Sequence, residues 1–142
     1  MHPHPILIVE DSDEDFEAIG WAMRRLERTD LLERCQDGDQ AIERLQDRTR
    51  PWPQLVLLDL NLPGTDGREV LALIRRDPYL RPLPVVVLST SASDEDVNAC
   101  YELGVNAYLI KPVNFEQFTE QLRVTLDFWL GLARLPDPPE RA

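Results

Sequence analysis

Four short apolar runs punctuate the chain: Ile6-Leu7-Ile8-Val9, Leu55-Val56-Leu57-Leu58, Val85-Val86-Val87-Leu88 and Ala107-Tyr108-Leu109-Ile110. None alternates with polar residues, which predicts strands buried on both faces, as in a parallel sheet. Leu31 to Cys35 is a weaker fifth strand. Between the runs the apolar period lengthens to that of a helix. From near Asp13 to Arg28, Ile19, Ala22, Met23 and Leu26 form one stripe and Trp21 points away. Acidic residues open this helix and arginines close it, as the helix dipole favours. A short helix follows through Ala41, Ile42 and Leu45, and another covers about Arg68 to Arg76. The fourth starts near Asp94, carries Val97 and Leu103 and stops at Gly104; the last runs from Phe115, capped by Asn114, to about Leu135 before Pro136. Strands separated by helices are parallel, with right-handed crossovers. The fold class is therefore α/β, a doubly wound five-stranded parallel sheet with five helices and an extended C-terminal helix. Residues 1–142 read as a single domain without an output domain, with a core of about 5–135 and a tail at 136–142.

The strand ends carry the chemistry. Val9 runs into Glu10-Asp11, Leu58 into Asp59, Leu88 into Ser89-Thr90-Ser91, and Ile110 into Lys111-Pro112. Parallel strands put these ends on one edge, where open α/β sheets bind their ligands. Taken singly, each has a simpler explanation. Asp59 could cap a helix, although Asp66 before Gly67 is the better cap. Glu10 and Asp11 could be first-turn charges, Ser89 to Ser91 a polar turn, and Lys111 a surface residue. Together those explanations need four coincidences on one rim.

Composition narrows the function. The net charge of −11 opposes direct nucleic-acid binding and an anionic membrane surface. No apolar stretch approaches the length of a membrane span. Cys35 and Cys100 are scattered, which suits a reducing cytoplasm. His2 and His4 have no further ligand with them and do not make a metal site. Of 15 basic residues Lys111 is the only lysine, a compact charge that no arginine reproduces. Three carboxylates against one ammonium leave an excess of negative charge that suits one divalent cation with oxygen ligands, Mg²⁺ above all. With that charge cancelled, Asp59 becomes a nucleophile toward a phosphoryl group, with Lys111 and Ser89 holding its oxygens.

With Glu10-Asp11, Asp59 to Gly67, Ser89 after Pro84 to Leu88, and Lys111-Pro112 in hand, the chain resembles a response-regulator receiver domain of two-component signalling over about residues 5 to 135. The resemblance implies a flavodoxin-like receiver fold. It implies that Asp59 accepts a phosphoryl group from a sensor histidine kinase. It implies Mg²⁺ held by Asp11, Asp59 and the main-chain carbonyl of Asn61, with Glu10 acting through water. Ser89 and Tyr108 would be the switch pair, Lys111 would pair with phosphoryl oxygen, and the Lys111–Pro112 peptide would be cis. Asn61 and Ser91 match positions that tune dephosphorylation. Glu at 10 and Ser at 89 depart from the commoner Asp and Thr. Asp77 to Pro84, Tyr101 to Tyr108 and Asp127 to Leu130 are similar to small stand-alone regulators that accompany phytochrome-type sensor kinases.

In the last helix Phe115, Phe118, Leu122, Leu126 and Trp129 form a core stripe, and Val124, Phe128, Leu132 and Leu135 a second one about 100° around. The second stripe points to a homodimer, while Trp21 marks the kinase-docking helix; the tail or a neighbouring helix could instead cover that stripe. Two other functions compete with a switch that catalyses its own phosphotransfer and dephosphorylation. One is a non-phosphorylated binding or dimerisation module, against which the complete site chemistry argues. The other is an aspartyl-phosphate hydrolase, which would want a carboxylate two residues beyond Asp59, where Asn61 stands.

Overall fold

The structure, a computed structural model, describes residues 4–139. In it β1 (Ile6–Val9), α1 (Asp13–Arg25), β2 (Leu32–Cys35), α2 (Gly38–Gln46), β3 (Leu55–Leu58), α3 (Gly67–Arg76), β4 (Val85–Ser89), α4 (Asp94–Glu102), β5 (Ala107–Ile110) and α5 (Phe115–Asp127) follow one another. The strands form one parallel sheet in the order β2-β1-β3-β4-β5. The order reverses between β1 and β3, which is the switch point of a doubly wound sheet.

Alternation along the strands sorts the core into two layers. Leu7, Val9, Val56, Leu58, Val85 and Val87 face α2, α3 and α4 through Ala41, Leu45, Val70, Leu71, Ile74 and Cys100. Ile6, Ile8, Leu55, Leu57, Val86 and Leu88 face α1 and α5 through Ile19, Ala22, Met23, Phe118, Leu122 and Leu126. The three central strands are buried along their whole length, as their unbroken apolar runs require. The fourth apolar run is different: β5 is only half-buried and Ile110 is 47 % exposed. Its position at the sheet edge leaves one side without a neighbouring strand.

Local chemistry fixes the helix starts. Ser12 accepts from the Asp15 N–H, Asp37 from Gln40, Asp66 from Arg68, Ser93 from Asp96 and Asn114 from Gln117. Two helix ends differ from expectation. The first helix stops at Arg25 rather than Arg28, because Leu26 caps it and Glu27 takes a left-handed φ of 55°. The last continues past Asp127 as a π-helical turn, Phe128–Leu132, and Ala133 is already extended. Leu135 therefore leaves the stripe expected of it. It lines a cleft with His4, Trp52 and Pro84 instead.

Candidate functional site

Register decides which strand-end side chains meet. Val9 pairs with Leu58, and the ladder continues one step further, the Asp59 N–H donating to Val9 O at 3.0 Å. Glu10 and Asp59 are therefore neighbours at the top of adjacent strands. Both lie in the same pleat as the residues facing α1 and α5. Lys111 follows Ala107 and Leu109 in that pleat, its N–H bonded to Ser89 O at 2.8 Å. Ser89 and Tyr108 belong to the opposite pleat, with Val85 and Val87. The ionic cluster and the hydroxyl pair thus occupy the two sides of one rim.

The loop beyond Asp59 folds tightly against it. The Leu62 and Gly67 N–H groups both donate to Leu60 O, and Gly64 takes a φ of 71°. A Cβ on Gly67 would stand 2.3 Å from Asp59 O and 2.7 Å from Leu60 Cα, so the start of α3 approaches the Asp59 backbone as only glycine allows. Asp66 caps α3, which leaves the Asp59 carboxylate free for other work.

One carboxylate oxygen from each of Glu10, Asp11 and Asp59 lies within 4.8 Å of the other two. Glu10 is buried, Asp59 is 9 % exposed, and Asp11 is open to solvent. Lys111 Nζ sits 2.6 Å from Glu10, 3.0 Å from Asp15 and 3.7 Å from Asp59. Burial pushes the Glu10 carboxyl up to about 7, more than Lys111 lowers it, and the Asp59 charge adds to the rise. Burial works against the Lys111 ammonium, but the Glu10 hydrogen bond, the charges of Glu10 and Asp59, and the Asp15 hydrogen bond hold its pKa above the ordinary value. The two shifts differ in origin: loss of water dominates for Glu10, with the Asp59 charge secondary, whereas carboxylate partners dominate for Lys111. A hard divalent cation among the three carboxylates relieves their excess of negative charge, and the donor set fits one.

The hydroxyl side is wired separately. Ser89, wholly buried, accepts from the Ser91 N–H at 3.1 Å. Tyr108 Oη donates to Ser91 O at 2.8 Å, and Tyr101 Oη accepts from the Tyr108 N–H. Ser91 Oγ donates to Asp96 at 2.6 Å, and Asp96 is paired at 2.5 Å with Arg68 of α3. Asn61 is exposed at the rim, two residues beyond Asp59. Pro112 lines a cleft with Glu10, Asp15, Lys111 and Phe115. The expected cis bond before Pro112 is absent: no described peptide bond is cis. Trans is the lower-energy form for an ordinary X–Pro bond, and Lys111 reaches Glu10 and Asp59 from it.

Four contributors were not read from the sequence. Asp15 looked like one more first-turn acid, yet three residues past the Ser12 cap it turns back to Lys111. Arg68 and Asp96 latch α3 to the Ser91 loop. Arg34 reaches from β2 to the Glu10 carbonyl. A charged residue within a strand, level with Ile8 and two positions short of Glu10, was the available signal for Arg34. His4 bonds Trp52 O through Nδ1, and His2 lies outside the described residues.

The doubly wound sheet, with carboxylates crowded over its reversal of strand order and one ammonium braced among them, defines a flavodoxin-like domain with an acidic pocket at its switch point. The response regulator receiver domain family matches residues 6–123, and the chain belongs to it. The chain is 43 % identical over 139 residues to the probable methanogenesis regulatory protein FilR2 of Methanothrix harundinacea (strain 6Ac), covering 96 % of this chain and 90 % of that protein. It is 42 % identical over 138 residues to response regulator Rcp1 of Synechocystis sp. (strain ATCC 27184 / PCC 6803 / Kazusa), covering 94 % of each. The Mn²⁺-bound crystal structure of Rcp1 superposes with a TM-score of 0.88, over 95 % of this chain and 100 % of that one. The phosphorylated cyanobacterial phytochrome response regulator RcpA, 38 % identical, also gives 0.88, over 96 % of this chain and 100 % of that one.

Proposed function

We propose that this receiver domain is a phosphorylation switch: Asp59 takes a phosphoryl group from a phosphohistidine on a sensor kinase, and the changed rim signals through protein contacts. The observation that carries the reading is Asp59 itself, a nearly buried carboxylate at a strand end with Glu10, Asp11 and Lys111 converging on it. In the transfer, an Asp59 oxygen forms the new O–P bond as the N–P bond breaks. The electron pair returns to the donor imidazole, which takes up a proton from solvent. Lys111, which pairs with Glu10 and Asp15, would pair with a phosphoryl oxygen. Ser89 is the hydroxyl that would turn to the phosphoryl group. Tyr108, tethered to Ser91, would follow it. Asn61 and Ser91, at the rim, would set how readily water reaches the acyl phosphate.

Mg²⁺ is the cation we assign, held by Asp11, Asp59 and the Asn61 carbonyl, with Glu10 acting through water. When bound it cancels the repulsion between the Asp59 carboxylate and an incoming anionic phosphoryl group. The likeness to the phytochrome response regulator RcpA supports a phytochrome-type kinase as donor. The net charge of −11 supports output to proteins rather than nucleic acid. Free, separated cysteines support a cytoplasmic setting; no described helix is long and apolar enough to cross a membrane. A homodimer through the last helix belongs to the same reading. It is supported by the exposed Val124, Phe128 and Leu132, with Leu135 no longer part of that surface.

The test is phosphotransfer from radiolabelled phytochrome-type kinases to wild type and to Asp59→Asn, with Mg²⁺ or EDTA. Label should reach the wild type alone, and only with Mg²⁺. Equal labelling of Asp59→Asn removes the assignment. A constitutive binding module would show no labelling of either chain.

A further inference from the structure

Arg34 sits on the edge strand β2, paired in register with Ile8 of β1. Its side chain is 15 % exposed and crosses the end of β1. Nε donates to the main-chain oxygen of Glu10 at 3.0 Å, and Nη1 pairs with Asp13 at 2.8 Å. The guanidinium carbon lies 5.0 Å from the centre of the Phe16 ring, in the first turns of α1. One side chain therefore ties the end of β1, at Glu10, to the start of α1, at Asp13 and Phe16.

The Glu10 contact matters most. Asp11 is exposed, and among the described residues no hydrogen bond holds its carboxylate or its N–H. Its position follows from the peptide that joins it to Glu10. β2 holds both peptides that flank Glu10: Cys35 O accepts from the Glu10 N–H at 3.0 Å, in the peptide before it, and Arg34 donates to the Glu10 carbonyl, in the peptide shared with Asp11. Arg34 Nη2 is meanwhile buried with no partner. A desolvated donor left unsatisfied disfavours this pose, so the contacts of Nε and Nη1 are what maintain it.

We infer that Arg34 is a positioning residue for the cation site, fixing the Glu10–Asp11 peptide so that the Asp11 carboxylate faces Asp59 before any ion arrives. The inference rests on the reading of Glu10, Asp11 and Asp59 as a cation site. It runs against simple electrostatics. A guanidinium beside an acidic pocket repels a divalent cation, so a mere neighbouring charge would weaken binding, and its removal would tighten it. A positioning group does the opposite, because an ordered ligand costs less to bring into place. Lysine does not replace it, since one ammonium cannot span Glu10 O and Asp13 as the planar fork does.

The experiment titrates Mn²⁺ into the full chain, following free Mn²⁺ by electron paramagnetic resonance, for wild type, Arg34→Gln, Arg34→Lys and Asp11→Asn. Arg34→Gln should bind about tenfold more weakly than wild type, within the range of substitutions that loosen a metal ligand's support. Arg34→Lys, which keeps the charge and the aliphatic stem, should also weaken binding severalfold. Unchanged or tighter binding by Arg34→Gln overturns the inference, as does wild-type affinity in Arg34→Lys should the glutamine variant fail to fold. Asp11→Asn separates this from failure of the site itself. If it binds as well as wild type, or wild type binds nothing, the cation reading falls and Arg34's role with it.

Discussion

Replacing Gly67 with alanine sets two physical effects against each other, and the structure decides between them. Gly67 is the first residue of α3, and its φ lies outside the left-handed region. Alanine is thus conformationally permitted, and helix propensity alone predicts a gain of at most about 1 kcal/mol. The added Cβ would stand 2.3 Å from Asp59 O and 2.7 Å from Leu60 Cα. Both neighbours are backbone, bonded into β3 and its loop, so no rotamer change relieves the overlap. The start of α3 must shift by about 1 Å to restore van der Waals contact, and overpacking of this kind costs roughly 1–3 kcal/mol. A net loss of about 1–2 kcal/mol should lower Tm by roughly 2–8 °C in a chain of this size. Gly20, inside α1, is the matched control: nothing lies within 4 Å of its added Cβ. Gly20→Ala should raise stability by about 0.5–1 kcal/mol. Urea unfolding of both variants in EDTA reads the two signs, and phosphorylation by acetyl phosphate reads the displacement of Asp59. A Gly67→Ala protein as stable and as readily phosphorylated as wild type would refute the close approach.

Mg²⁺ should stabilise the fold, because the native carboxylates bind it and the unfolded chain does not. At 100 times its Kd the gain is about 2.7 kcal/mol, some 5–10 °C in Tm; a scan in MgCl₂ against EDTA at equal ionic strength should show it, and Asp11→Asn should lose most of it. The Cys35 thiol, pushed up to about 11 first by burial and then by Glu33, stays neutral through pH 9. Its thiolate fraction at pH 8 is about a hundredfold below that of an ordinary cysteine, so an aromatic disulfide reagent should leave it untouched until the chain unfolds. Because the native pKa is raised, its contribution to stability is complete below about 9 and declines toward 11. Phe128→Asp with Leu132→Asp should move gel-filtration elution from dimer to monomer with the monomer still folded, since both side chains are exposed within one chain; an unchanged elution volume removes the homodimer.

Most of the fold was legible because its signals are local. Apolar runs marked β1, β3 and β4, and the caps at Asp66 and Asn114 marked where α3 and α5 begin. Glu10, Asp59 and Lys111 were legible for the same reason, each being a charged residue directly after an apolar run. The helix ends were harder to read. Leu132 and Leu135 continue the same spacing in the sequence, but the π turn ends at Leu132, and Leu135 lines a cleft with His4 and Trp52. Spacing records what a helix would bury if it continued, and it carries no information on where packing stops it.

The sequence by itself determined that acids, hydroxyls and one ammonium would end parallel strands on a single rim, since that follows from element type and crossover handedness. Tertiary structure alone decided who touches whom. Glu10 and Lys111 are 101 residues apart and meet because β1, β3 and β5 present the same pleat to α1 and α5. Asp15 and Arg34 join them only because α1 and the edge strand β2 flank that corner. Local periodicity is written in neighbouring residues, whereas register and side-chain reach depend on how distant segments share one close-packed interior.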